Sequence, residues 1–139
     1  MGHVSPRPLP RGGPGPDLQG RLRGAPRRFR ADDLNRADLG RLGEAIAGWF
    51  LARHGLTIVA ANVRVGRGEI DILADDNGIR VAVEVRTTRG RDDPVDAADP
   101  GKREQASRLA RRIGARRFDV VGIGLHEQDI EVHWVPAAS

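Results

Sequence analysis

Apolar residues between positions 38 and 135 follow two periodicities, one helical and one alternating. Leu39, Leu42, Ile46, Trp49 and Phe50 recur at helical spacing and predict a helix over 38–54, with Asp38 as N-cap and Gly55 as the glycine that ends it. Glu44 projects from nearly the opposite side, in a seam with Gly40, Ala47, Gly48 and Leu51, whose small residues would permit close approach of another element. Strands are predicted over 57–64, 69–75 and 79–86, and the last two flank Asp76, Asn77 and Gly78. Asn-Gly is a strong hairpin signal because both positions tolerate positive φ. A loop rich in Asp, Gly and Pro over 87–101 leads to a second helix over 102–113, with Ala106, Leu109, Ala110 and Ile113 on one face. Two more strands are predicted over 118–125 and 129–135. The order αβββαββ predicts an α/β fold.

The hairpin register carries the candidate chemistry. With Asn77-Gly78 as a two-residue turn, paired positions sum to 155, so Asp71 stands opposite Glu84 and Glu69 opposite Arg86. One face then carries Glu69, Asp71, Asp75, Arg80, Glu84 and Arg86, and the other carries Ile70, Ile72, Ala74, Val81, Val83 and Val85. Opposed carboxylates repel, and a divalent cation between them reverses the sign. All-oxygen donors suit Mg²⁺ or Mn²⁺, and a cation that polarises a phosphoryl oxygen and acidifies a water is the machinery of phosphodiester hydrolysis. The competing reading is a set of solvent-facing charges on a two-sided antiparallel sheet.

Charge and composition change the picture at the N-terminus. The 139 residues carry 23 Lys plus Arg against 19 Asp plus Glu, with a sequence pI near 11.0. Residues 1–30 hold seven Arg, one Asp and six of the nine prolines, a net charge of +6, whereas residues 31–139 are slightly acidic. The expectation is a disordered basic arm over 1–30 and one folded domain over 31–139. No cysteine is present, no apolar run approaches a membrane span, and the Pro/Gly/Arg-rich start does not read as an export signal, so a cytoplasmic protein is expected. Of the basic residues 22 are Arg and one is Lys, Lys102, which makes any single arginine a weak signal.

Gly43-Glu44 followed by Ala47 and Leu51, Asn62 with Arg64, GEIDILA from Gly68, VEVRT from Val83, Lys102, and RFDVV from Arg117 resemble the YraN family of predicted endonucleases over about residues 38–135. The resemblance implies a restriction-endonuclease-like core, a central mixed sheet flanked by helices, similar to archaeal Holliday-junction resolvases. It further implies Asp71 and Glu84 as metal ligands, Glu44 as the helix carboxylate that completes the site, and Arg86 at the position of the usual catalytic lysine. Arginine keeps its proton and presents a planar fork, so charge stabilisation and phosphate contact survive there but proton acceptance does not.

A nucleic-acid surface is expected on the second helix. Residues 102–117 contain one Lys, six Arg and a single Glu, and Lys102, Arg103, Arg108, Arg111 and Arg112 are the candidate phosphate contacts. Aromatic content is only 4%, and Trp49, Phe50 and Phe118 read as core, so stacking of single-stranded bases is not expected. Asp92, Asp93, Asp96 and Asp99 read as a solvated loop, and His3, His54, His126 and His133 form no ligand-spaced cluster. The expected activity is Mg²⁺- or Mn²⁺-dependent hydrolysis of DNA, branched or damaged DNA included, through Glu44, Asp71, Glu84 and Arg86. The alternative is a non-catalytic nucleic-acid-binding module in which Arg86 marks lost chemistry. DNA is the expected partner and no membrane is; a homodimer is left open.

Overall fold

The structure, a computed structural model, describes residues 18–23, 35–89 and 100–138, and of 18–23, Pro100 and Lys102 only the backbone. Its elements are β1 (Leu18–Arg23), α1 (Arg36–Arg53), β2 (Thr57–Val65), β3 (Gly68–Asp76), β4 (Ile79–Arg89), α2 (Pro100–Arg112), β5 (Arg117–Leu125) and β6 (Asp129–Val135). The five predicted strands form a mixed α/β core in the order β6-β5-β4-β3-β2, and β1 extends it at the β6 edge. Only β4 and β5 run parallel, as the crossover through α2 requires. Among the described residues no helix is long and apolar enough to cross a membrane.

The β3–β4 hairpin has the predicted register from Asp76↔Ile79 to Ile72↔Val83, where its pairing ends, so the expected cross-strand pairs Asp71–Glu84 and Glu69–Arg86 are not formed. Asn77 and Gly78 have φ of 52° and 89°, and Ile72↔Val83, Ala74↔Val81 and Asp75↔Arg80 all sum to 155. Asp75 and Arg80 are joined across the strands at 2.6 Å.

The first helix differs from expectation in phase. Its N-cap is Asn35, whose side chain accepts from the Asp38 amide, so Asp38 lies in the first turn instead of capping it. Gly55 ends it with φ of 95°. The buried positions are Gly43, Ala47, Phe50 and Leu51, of which Ala47 and Leu51 come from the small-residue seam and Phe50 from the apolar stripe, while Leu39, Leu42 and Ile46 are only partly buried. Trp49, expected in the core, is 46% exposed with the Arg53 guanidinium 5.0 Å above its ring. The buried face lies between the predicted stripe and the predicted seam, rotated toward the close approach at Gly43, and Gly40 and Gly48 of the seam have open space beside them.

Two apolar layers result, one on each face of the sheet. Under α1 lie Ile72, Ala74, Val81, Val83, Val121, Ile123, Val132 and Trp134. Under α2 lie Val65, Ile70, Ala82, Phe118 and Val120 with Ala110. Val81, Ala82 and Val83 alternate between the layers as strand geometry demands.

Leu18–Arg23 fall inside the stretch expected to be a disordered arm, and here the structure differs. They pair antiparallel with β6, from Leu18↔Trp134 to Arg23↔Asp129. An edge strand is held by main-chain pairing and does not require the large apolar side chains whose scarcity suggested disorder. The rest of the expected arm and the acidic loop with Asp92, Asp93, Asp96 and Asp99 lie outside the described residues.

A saturated polar network ties the start of β5 to the hairpin and the C-terminal segment. Asp119, fully buried, accepts from Arg117 Nε and Nη2 at 2.9 Å, Trp134 Nε1 at 3.0 Å and the Ala137 amide at 2.9 Å. Arg117 Nη1 donates to Asp76 at 2.8 Å. Burial opposes the Arg117 charge, but the hydrogen bonds and charges of Asp119 and Asp76 outweigh it and hold the guanidinium more firmly protonated. Removing one partner strands the others, so Asp119→Ala is expected to cost about 3–5 kcal/mol in urea unfolding.

Candidate functional site

The site lies where both ladders of β3 are interrupted. Pairing with β2 skips from Ala61↔Ile72 to Val63↔Ile70, and pairing with β4 stops at Ile72↔Val83. Asn62 and Asp71 occupy the gap, and Asn62 has φ of 54°, a left-handed conformation open to asparagine. Ile70 packs on the α2 side and Ile72 on the α1 side, although residues two apart in an unbroken strand share a face. The expectation of one continuous apolar face over Ile70, Ile72 and Ala74 is therefore corrected: the strand changes face at Asp71. Beyond the break the Asp71 carboxylate replaces a ladder partner, accepting the Val85 amide through Oδ2 at 2.8 Å.

Helix α1 is brought to this break through Gly43. A Cβ at that position would collide with the Thr87 side chain of β4, so only glycine lets the two elements meet this closely. Glu44 follows directly, with the Asn62 side chain in hydrogen-bonding reach.

The three expected metal ligands are thus brought into one electrostatic neighbourhood. Burial pushes the Asp71 carboxyl up to about 6; the Val85 amide pulls it back, and the charges of Glu44, Glu84 and Glu69 add to the rise. Glu44 is raised by burial and by Glu69, against the opposing effects of Asn62 and Arg41. Glu84 is nearly buried and paired with Arg86, Nε to Oε2 at 3.1 Å. Yet among the described residues no group of three or more His, Cys, Asp or Glu is arranged to hold a metal ion as the side chains stand. The donors are hard oxygens, and burial together with neighbouring carboxylates disfavours the charge of Asp71 and of Glu44. That fits a cation such as Mg²⁺, which binds through one or two carboxylates and keeps its waters, better than one needing a full protein cage.

Two members of this neighbourhood, Glu69 on the charged hairpin face and Asn62 in the family motif, were not assigned to the site from the sequence. Glu69 couples to both Glu44 and Asp71, and Asn62 supplies the strand irregularity. The visible signal for Asn62 was a turn-forming residue inside an otherwise apolar strand. Of the expected phosphate contacts, Arg108, Arg111 and Arg112 are exposed on α2 and Arg103 is partly buried; the Lys102 side chain lies outside the described residues.

Fold and site together define a small α/β protein with a carboxylate cluster at a break in its sheet. A family model described as uncharacterised protein family UPF0102 matches residues 43–123, from the close-approach glycine through Glu44, Asp71, Glu84 and Arg86. A UPF0102 protein of Streptomyces coelicolor is 39% identical over 113 residues, 72% of this chain and 87% of the relative. One of Roseiflexus castenholzii is 41% identical over 117 residues, covering 74% and 94%, and one of Symbiobacterium thermophilum is 42% identical over 95 residues, covering 61% and 80%. The chain belongs to family UPF0102, which is the YraN family whose motifs it carries.

Two outcomes follow from this geometry. Gly43→Ala is expected to destabilise by about 1–3 kcal/mol through overpacking. The loss should shrink in a Thr87→Ala background, while Gly48→Ala, with nothing near its added Cβ, should stabilise by up to about 1 kcal/mol. Because the folded-state Asp71 pKa lies above the ordinary carboxylate value, its contribution to stability is present in acid and lost as pH rises through about 6. Asp71→Asn should therefore be more stable than wild type by about 1–2 kcal/mol at pH 8 but not at pH 4, as measured by denaturant unfolding at both.

Proposed function

We propose that this chain is a metal-dependent endonuclease-like protein on a restriction-endonuclease-like core, hydrolysing phosphodiester bonds in DNA, branched or damaged DNA included. The observation that carries the reading is Asp71, held in a break of the sheet and raised by burial and by the combined charge of Glu44, Glu84 and Glu69. A divalent cation held by Asp71 and Glu84, with Glu44 beside them, would polarise the phosphoryl oxygen and acidify the attacking water. Val85 orients the Asp71 carboxylate through its amide, and Asn62 orients Glu44. Arg86, bound to Glu84 by one edge, has its remaining N–H groups to offer a phosphate oxygen. A cytoplasmic setting accords with such a substrate.

A second reading, a non-catalytic nucleic-acid-binding module, is favoured by the Arg86–Glu84 pair, which occupies a candidate ligand with a group that cannot accept a proton. Cleavage assays on branched and linear DNA in Mn²⁺ distinguish the two. Wild type and Arg86→Lys should both cut, and Asp71→Ala should fall to background. Cutting by Arg86→Lys alone would end the enzyme reading for the natural chain and leave the binding module.

A further inference from the structure

The two charged surfaces of this protein lie on opposite sides of the sheet. Glu44 belongs to α1, whereas the exposed Arg108, Arg111 and Arg112 belong to α2, packed on the other face. A phosphate chain lying along α2 alone would not reach Glu44. The β2–β3 hairpin bridges the gap. Val63, Val65 and Ile70 face α2, so Arg64 and its cross-strand partner Glu69 project to the α1 side, where Glu69 couples to Glu44 and Asp71. Arg67 is exposed in the turn. From the other face the Arg112 guanidinium reaches over Gly66, its Nη1 3.7 Å from where a Cβ there would stand.

We propose that Arg64 and Arg67, continued by Arg112, form a phosphate-binding track around the tip of the β2–β3 hairpin, carrying a nucleic-acid backbone from the basic helix to the carboxylate cluster. The inference rests on the proposed function only in taking a phosphodiester polymer as ligand. Four features favour it. Arg64 and Arg67 are exposed, so their charge is offered to solvent. Arg64 stands directly across the hairpin from Glu69, one of a cluster of four carboxylates, Glu44, Glu69, Asp71 and Glu84, that would by itself repel a polyanion. Gly66, with φ of 60°, turns the hairpin without a side chain under Arg112. Among the described aromatic residues Phe50, Phe118 and Trp134 are buried, and the half-exposed Trp49, with the Arg53 guanidinium over its ring, stands alone on α1, which favours the backbone of a duplex over a run of stacked single-stranded bases.

The test is fluorescence anisotropy of a 20-base-pair duplex with the full chain in EDTA, over a salt series, so that binding is read without cleavage. Arg64→Ala/Arg67→Ala should weaken binding roughly tenfold or more and flatten the plot of log K against log salt by about 2, near 0.9 for each phosphate that is no longer neutralised. Arg36→Ala/Arg53→Ala removes the same charge from exposed positions of α1 and should change both quantities far less. Equal losses in the two double variants, or no duplex binding by wild type at low salt, would overturn the track. Unchanged thermal melting of both variants should exclude misfolding. Mn²⁺ calorimetry and cleavage assays report on the carboxylates separately. A wild type that binds through the hairpin but never cuts retains the track and loses the nuclease; cleavage unaffected by the hairpin substitutions does the reverse.

Discussion

A β-strand cannot keep both neighbours and also turn a carboxylate out of its alternation. In this protein the conflict is resolved at one level of the sheet, where Asn62 takes a left-handed conformation and Asp71 stands across from it, outside the regular pairing on either side. The broken pairing leaves the Val85 amide without its expected strand acceptor, and the Asp71 side chain takes it. The residue that departs from the ladder thereby repairs it. Glu44 reaches the same level only because Gly43 lets the helix touch Thr87, so the strand break and the helix contact must coexist.

The same sheet holds a second buried aspartate under opposite conditions. Asp119 receives four donor groups, two of them from a guanidinium, and its pocket is complete. Asp71 receives one amide and the fields of three other carboxylates. Chain chemistry alone satisfies the first; the second remains short of positive charge. Identical side chains thus separate into a structural anchor and a group whose charge is disfavoured, decided by what each environment supplies.

The hairpin register near the turn was legible because Asn77-Gly78 is local turn chemistry, but the expected pairing of Asp71 with Glu84 lies beyond Ile72↔Val83, where the ladder ends. The change of face at Asp71 was not legible, since simple alternation requires every residue in a strand to keep the extended conformation. The helix stripe misled for a related reason. Leu39, Leu42, Ile46 and Trp49 are larger and more apolar than Gly43 and Ala47, but the distance to β4 is set by the smallest residues, and that constraint lies in Thr87, far along the chain. The N-terminal strand was hidden because main-chain pairing leaves little trace in side-chain pattern. The family motifs contain the residues of the candidate site, and the packing around them supplies a reason for the glycine and threonine.

The pairing of β1 with β6 also bears on how the chain is made. The first of these strands to leave the ribosome joins the last, with nearly the whole fold between them. It must wait unpaired while the helices and the four strands from β2 to β5 collapse, and it docks only once β6 has emerged. The folded edge is therefore a record of how far translation has run: a chain interrupted anywhere before residue 129 has no β6 to receive its arginine-bearing first strand, and only a chain that has passed that point tucks it away.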